Sequence, residues 1–126
     1  MKNIIHTKNA PAPIGPYNQG VLIHNTLYAS GQIAIHPETG ELITQNIKDE
    51  TRRVMKNLKA VLHAADMDFE HVVKSTIYIL NMDDFALIND VYGSYFDHTI
   101  APARETVQVA QLPKKVHVEI SVIAVK

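Results

Sequence analysis

Two charged residues near the end of the chain are the ones best suited to chemistry. Arg104 stands where a loop is expected to become a strand, and its planar guanidinium group can hold a carboxylate through two hydrogen bonds. Glu119, fifteen residues later, interrupts a run of β-branched residues, where a carboxylate is costly to bury without a partner or a purpose. Because their strands follow one another and are expected to run antiparallel, the residues alone favour a structural ion pair between them within one subunit.

Other polar residues indicate a site less directly. Ser30 precedes Gly31 without the G-x-S-x-G pattern of a nucleophile, which favours a hydrogen-bonding role in a pocket. Asn89 lies beside the apolar stripe of a predicted helix, where a residue at the edge of the core is the simplest explanation. The 7 histidines are scattered without a pair at ligand spacing and there is no cysteine, so no metal site is expected.

The elements that position these residues follow from the hydrophobic pattern. One helix is predicted after an N-cap at Asn46, with Asp49 and Glu50 in its first turn, and a second begins at Asp83-Asp84. β-Branched and alternating segments predict the strands Val21–His24, Leu27–Ala34, His71–Leu80, Thr106–Ala110 and Val116–Val125, with an extra one left open near Ile4–Thr7. Two helices cannot cover both faces of such a sheet. The pattern therefore predicts one α+β domain over residues 1–126 with both helices on one face.

The last predicted strand indicates what covers the other face of the sheet. Since side chains alternate, Val118 and Ile120 should lie beneath the helices, whereas Glu119, Ile123 and Val125 point to the opposite side. A monomer would leave the last two in water, and an exposed apolar sheet face of this kind usually marks an interface. Self-association is therefore predicted, with the number of subunits left open.

Length and composition exclude several classes of protein. The 126 residues fit one domain, and 46% apolar with 20% charged residues is typical of a globular fold. A net charge of -1 argues against nucleic-acid binding, which normally needs a concentrated basic surface. No segment reaches the roughly 18 apolar residues of a membrane span, and the first residues do not resemble a signal peptide. With the absence of cysteine, these features predict a cytoplasmic protein without a membrane or nucleic-acid partner.

A set of short segments, taken together and in this order, resembles the RidA/YjgF family. The segments are Ala10–Gly20 (APAPIGPYNQG), Ala29–Ile33 (ASGQI), Pro102–Arg104 (PAR), Leu112–Lys114 (LPK) and Val118–Ile120 (VEI). Each is weak alone, but the set spans nearly the whole chain. The resemblance implies a chorismate-mutase-like α+β domain with a mixed sheet. It also implies a homotrimer in which the sheets line a central β-barrel and the helices lie outside.

The same resemblance implies an activity and a site between subunits. Members of the family hydrolyse 2-imino acids such as 2-iminobutanoate and 2-iminopropanoate, or enamine tautomers such as 2-aminoacrylate, to 2-oxo acids and ammonia. By resemblance, Arg104 holds the substrate carboxylate, and Glu119 activates water and transfers a proton to the departing nitrogen. The implied pocket lining is Tyr17, Ser30, Gly31, Asn89, Thr106 and Val107. No metal or organic cofactor is required, since the carbon of a protonated imine is already electrophilic.

Three positions depart from the pattern of many relatives. Thr106 stands where they carry Cys, Glu105 where they often carry a small residue, and Ser121 where they often carry Glu. Thr106 excludes any role for a thiol. Glu105 should point away from the face of Arg104, because neighbouring residues of a strand alternate. None of the three changes Arg104 or Glu119, so the deaminase interpretation stands.

Two other functions stay open from the sequence. The first is a regulatory protein whose cleft binds a small carboxylate or a partner protein, because a fold by itself does not settle function. The second is an endoribonuclease, which the near-neutral charge and the lack of a basic, aromatic-rich surface disfavour. The presence of Arg104 as a carboxylate anchor favours the enzyme.

Overall fold

A computed structural model describes all 126 residues and contains one six-stranded sheet and two α-helices. The elements are, in chain order, β1 (Lys2–Ile5), β2 (Gly20–Ile23), β3 (Thr26–Ala29), α1 (Ile47–Ala64), β4 (Val72–Ile79), α2 (Phe85–Gly93), β5 (Ala103–Gln108) and β6 (Val118–Val125). The strands lie in the order β1-β2-β3-β6-β4-β5. Only β4 and β5 are parallel, so the sheet is mixed. The predicted α+β class is confirmed.

Helix α1 begins where the sequence predicts, because its first turn is capped. The Asn46 side chain accepts a hydrogen bond of 2.9 Å from the Asp49 N–H. A row of apolar side chains on one side of the helix is fully buried: Val54, Met55, Leu58, Val61 and Leu62. Burial of each such side chain contributes about 1.5–3 kcal/mol, so packing against the sheet holds α1 in place more than intrinsic helix propensity does.

Both helices pack on the same face of the sheet. The buried row of α1 and Ile88 and Tyr92 of α2 belong to one apolar cluster with Ile77 of β4 and Val118 and Ile120 of β6. The alternation predicted for β6 is confirmed, since every second residue from Val118 onward is buried. Neither helix combines the length and the apolar character needed to cross a membrane.

The opposite face of the sheet, here called the open face, carries no helix. Ile4, Val21, Tyr28 and Ile123 are register partners across four neighbouring strands, and therefore form one continuous apolar row on this face. Ile4 is 48% and Tyr28 49% exposed. An apolar row of this kind in contact with water is typical of a surface that another molecule covers.

Several predicted strands begin or end at the wrong residues, and two of them show the reason. The strand predicted over Leu27–Ala34 ends at Ala29, because the chain then turns away and keeps only the Gln32–Ile120 bridge with β6. The strand predicted over Val21–His24 ends one residue early, because His24 lies in the turn with a φ of 52°.

The last two strands run antiparallel as predicted, but the bounds of β5 and its place in the sheet differ from the prediction. The strand predicted over Thr106–Ala110 runs instead over Ala103–Gln108, so Arg104 lies within β5. β5 and β6 run in opposite directions as expected, but β4 lies between them. Residues of β5 and β6 are therefore not neighbours across a ladder.

Candidate functional site

Arg104 is held by aromatic and amide side chains of α2 rather than by a carboxylate. Its register partner on β4 is Ser75, which is fully buried on the helix face, so the arginine side chain also lies on that side. The Arg104 Nη1 group donates a hydrogen bond of 2.6 Å to Asn89 Oδ1. The guanidinium carbon lies 5.6 Å from the ring centroid of Phe85 and 5.2 Å from that of Tyr92. Stacking on the two rings and the hydrogen bond to the amide fix the cation and leave its other N–H groups free for a ligand.

The ring of Tyr92 is itself fixed from below. Its hydroxyl donates a hydrogen bond of 2.8 Å to Ser75 Oγ in the core, and burial raises the pKa of Tyr92. The same ring lies beside Arg104, so β4 and α2 together set the position of the guanidinium group. The cleft in front has a volume of about 650 Å³ and includes Phe96 and His98 in its lining. We call this surface the arginine half-site.

Glu119 lies in a second cleft, with a volume of about 530 Å³, that also contains Tyr17, Ser30 and Gly31. The Glu119 carboxylate is half-buried, and burial raises the pKa of this group above its ordinary value. A side chain on Gly31 would overlap this carboxylate, since its Cβ would lie 2.9 Å from Glu119 Cδ. The absence of a side chain at Gly31 is therefore what gives the carboxylate its place. We call this surface the glutamate half-site.

Gln19 organises the loop that forms one wall of the glutamate half-site, and sequence reasoning did not single it out. Its buried side-chain amide donates to the carbonyl oxygens of Thr7, Ala10 and Pro11, and its side-chain oxygen accepts 2.7 Å from the Thr7 N–H. The Ser30 hydroxyl donates to the carbonyl of Asn18, in agreement with its predicted hydrogen-bonding role. These contacts hold residues 10–19, which contain three prolines, as an ordered loop.

One chain does not bring Arg104 and Glu119 together. Glu119 pairs with Tyr78 on the open face, whereas Arg104 pairs with Ser75 on the helix face, and β4 separates the two strands. The ion pair favoured from sequence is therefore wrong, because alternation sends the two side chains to opposite faces. Of the expected site residues, Asn89 joins Arg104, and Tyr17, Ser30 and Gly31 join Glu119.

The remaining expected residues lie on β5. The Thr106 hydroxyl oxygen is buried and has no hydrogen-bond partner. Val107 is 42% exposed and points to the open face opposite Tyr78. Sequence alone gave no sign of the unpartnered hydroxyl, because partners on other elements cannot be counted before the fold is known.

Glu105 and Ser121, two of the residues that differ from the pattern of many relatives, both lie on the open face. Thr76 of β4 is the register partner of both. The Glu105 carboxylate accepts 2.6 Å from the Thr76 hydroxyl and pairs with Lys74 at 2.9 Å. These contacts, the Thr76 hydrogen bond first, lower the pKa of Glu105. The prediction that Glu105 points away from Arg104 is confirmed, so its charge is matched by Lys74 rather than directed at the anchor.

Comparison with known proteins decides the family. A family model described as Endoribonuclease L-PSP matches residues 7–126. The chain belongs to the RidA/YjgF family. A RutC family protein of Pyrococcus horikoshii is 49% identical to this RidA/YjgF chain over 126 residues, covering 100% of it and 99% of the relative. The 2-iminobutanoate/2-iminopropanoate deaminase of mouse is 42% identical, covering 100% of the chain and 93% of the relative.

A solved structure gives the same fold with a small amino acid present. The Escherichia coli protein TdcF with bound serine is 44% identical and matches with a TM-score of 0.92, covering 98% of each chain. Within the RidA/YjgF chain described here, no group of three or more His, Asp or Glu side chains is arranged to hold a metal ion.

Proposed function

We propose that this protein hydrolyses small 2-imino acids, or their enamine tautomers such as 2-aminoacrylate, to 2-oxo acids and ammonia. The observation that carries the proposal is Arg104, a cation stacked on Phe85 and Tyr92 that forms no ion pair within the chain. A cation held this way and open to a cleft suits a carboxylate that comes from outside. Neither a metal ion nor an organic cofactor takes part in the proposed reaction.

In the proposed mechanism Arg104 binds the substrate carboxylate and Glu119 moves the protons. Ionised Glu119 takes a proton from a water molecule while the oxygen of that water bonds to the carbon of the protonated imine. The protonated Glu119 then returns that proton to the nitrogen. As the carbon–nitrogen bond breaks, the new hydroxyl group gives its proton to Glu119 and becomes the carbonyl group of the 2-oxo acid. The released ammonia takes this proton and leaves as ammonium, so Glu119 is ionised again. A carboxyl pKa raised by burial suits a group that must both accept and donate a proton near neutral pH.

We further propose that each active site combines the two half-sites from neighbouring subunits of a homotrimer. Arg104 and Glu119 lie on opposite faces of one sheet, so a site that uses both needs a second copy of the chain. Packing of the open faces around a common axis would cover the row Ile4, Val21 and Tyr28 and create the central barrel. Thr106 lies on the same face of β5 as Arg104, and its Oγ, which has no partner in one chain, is proposed to meet a substrate or a neighbouring subunit at the shared site.

The test of function is the release of oxo acid from freshly generated 2-aminoacrylate and 2-iminobutanoate, with and without the protein. The wild type is expected to accelerate release, and Arg104→Ala is expected to abolish the acceleration without changing the oligomer. Glu105→Ala is the matched control, because the neighbouring charge points to the other face. If the wild type and Arg104→Ala release oxo acid at the same rate, the proposed role of Arg104 is wrong. Absence of acceleration by both, with the oligomer intact, would support a regulatory carboxylate-binding protein instead.

A ribonuclease is the second candidate, because the matching family model carries that description. Exposed basic side chains of α1, Lys56 and Lys59 among them, border a surface groove that also contains Arg53. The groove contains no Phe, Tyr or Trp side chain on which a base could stack. RNA cleavage that persists through repurification and is lost in Lys56→Glu/Lys59→Glu would establish this activity. Cleavage that disappears on repurification would remove it.

A further inference from the structure

Glu50 is a buried carboxylate that the proposed mechanism does not use. It lies in the first turn of α1, and none of its surface is accessible to solvent. Its Oε2 atom accepts hydrogen bonds from the backbone N–H groups of His117 (2.7 Å) and Val118 (3.2 Å). Its Oε1 atom lies 2.8 Å from His117 Nδ1. One side chain of the helix thus holds Val118, the first residue of β6, and His117, the residue before it.

The position of these contacts explains why a side chain is needed there. On the β3 side, the ladder of β6 ends at the Gln32–Ile120 bridge, because β3 has already ended at Ala29. The N–H groups of His117 and Val118 find their acceptor in the Glu50 carboxylate instead. Glu50 therefore takes the place that a neighbouring strand would occupy.

The segment just before these residues adds a second reason. Lys114 and Lys115 have φ values of 55° and 57°, which non-glycine residues rarely adopt. Two such residues in succession are retained only where the surrounding structure holds them. Lys114 also lines the glutamate half-site. Glu50 therefore holds the chain at His117 and Val118, between this turn and Glu119.

We propose that Glu50 is a positioning residue, which fixes the start of β6 through hydrogen bonds and thereby sets the place of the Glu119 carboxylate. This inference rests on the proposed function for its kinetic consequence. What matters is the reach of an acceptor atom to the His117 and Val118 N–H groups, rather than its negative charge. A glutamine has the same reach, and its amide can donate to His117 Nδ1 when that nitrogen carries no proton.

A pair of substitutions separates reach from charge. Glu50→Asp keeps the charge but shortens the side chain by one methylene, whereas Glu50→Gln keeps the reach and removes the charge. We expect Glu50→Asp to lower kcat about ten- to a hundredfold, because a shift of about 1 Å in a catalytic group has effects of this size. KM should stay within about twofold, since the Arg104 anchor lies in the other half-site. Glu50→Gln should restore kcat to within a few-fold of the wild type.

A core substitution controls for stability alone. Val54→Ala truncates a fully buried apolar residue of the same helix and keeps the Glu50 hydrogen bonds to His117 and Val118, so it should lower the melting temperature with kcat unchanged. If Glu50→Asp lowers the melting temperature but leaves kcat unchanged, Glu50 is only structural and the inference is overturned. Equal losses of kcat in Glu50→Asp and Glu50→Gln would also overturn it, since charge would then be the cause.

A measurement that needs no turnover keeps the inference separate from the proposed function. The carboxyl carbon of Glu119 can be titrated by ¹³C NMR in the wild type and both Glu50 variants. The wild type and Glu50→Gln should share one titration curve, and the Glu50→Asp midpoint should shift toward that of an ordinary glutamate. If the wild type proves inactive but these curves differ as expected, the positioning role stands and the deaminase proposal fails. Three identical curves would overturn the positioning role whatever the activity.

Discussion

Mixed oligomers of two inactive variants should regain activity if each site joins two subunits. Arg104→Ala destroys the arginine half-site and leaves Glu119 intact, whereas Glu119→Gln does the reverse. The side chains lie on opposite faces of one sheet, so neither subunit can complete a site by itself. A neighbouring pair in the right order, however, places an intact Arg104 beside an intact Glu119.

The size of the recovery follows from the geometry. In an equal mixture, half of the subunits supply an intact arginine half-site and half supply an intact glutamate half-site. If subunits assort at random around a closed ring, about a quarter of the sites receive both, whatever the number of subunits. The mixture should therefore show about a quarter of the wild-type kcat per site, with a KM close to that of the wild type.

The assay is oxo acid release by co-expressed variants that carry different affinity tags and are purified through both tags in turn. Selection through both tags removes the pure parents. Each remaining trimer then has one intact site of three, so the selected oligomers should show about a third of the wild-type kcat per site, against about a quarter in the unselected mixture. The control replaces Arg104→Ala by the double variant Arg104→Ala/Glu119→Gln, which leaves no subunit with Glu119 intact. Mixed oligomers with no more activity than the two parents would refute a site shared between subunits.

Three further predictions follow from single side chains. Gly31→Ala should lower kcat about a hundredfold with the fold retained, because the new methyl group displaces the Glu119 carboxylate. Steady-state kinetics measure kcat, and circular dichroism checks the fold. A kcat equal to that of the wild type would contradict this prediction. Glu119→Gln should be more stable to urea than the wild type near neutral pH. Because the folded protein holds the Glu119 pKa above the ordinary glutamate value of 4.5, the wild type loses stability as pH rises through the raised pKa. The free energies of unfolding of the two proteins should therefore become equal below pH 4.5. A difference that does not change with pH would show that the ionisation of Glu119 is not its cause. Gln19→Ala should lower the free energy of unfolding by about 3 kcal/mol, because it leaves several backbone groups without hydrogen-bond partners. The control Gln45→Ala removes an exposed glutamine and should change this free energy little. Equal effects of the two substitutions in urea titrations would contradict the anchoring role of Gln19.

Much of the architecture could be predicted because it depends on local pattern. The Asn46 cap, the apolar row of α1 and the alternation in β6 are short-range features, and the structure confirms each. Both helices on one face also followed from counting elements. Strand ends were less predictable, as the early end of β3 at Ala29 shows, since they depend on which neighbour is present.

The sequence already singles out the residues proposed to do the chemistry. Arg104 and Glu119 stand out as charged residues in strand segments, and Gly31 stands beside Ser30 in a segment that resembles the family. Which of these residues share a face could not be read from the sequence. In the fold, Arg104 lies beside Asn89 on one face of the sheet and Glu119 lies beside Gly31 on the other. The physical reason is that β4 inserts between β5 and β6, an arrangement set by contacts between residues far apart in the chain. The alternation of side chains along a strand can be predicted from the local sequence, whereas the order of strands in a sheet depends on contacts throughout the chain.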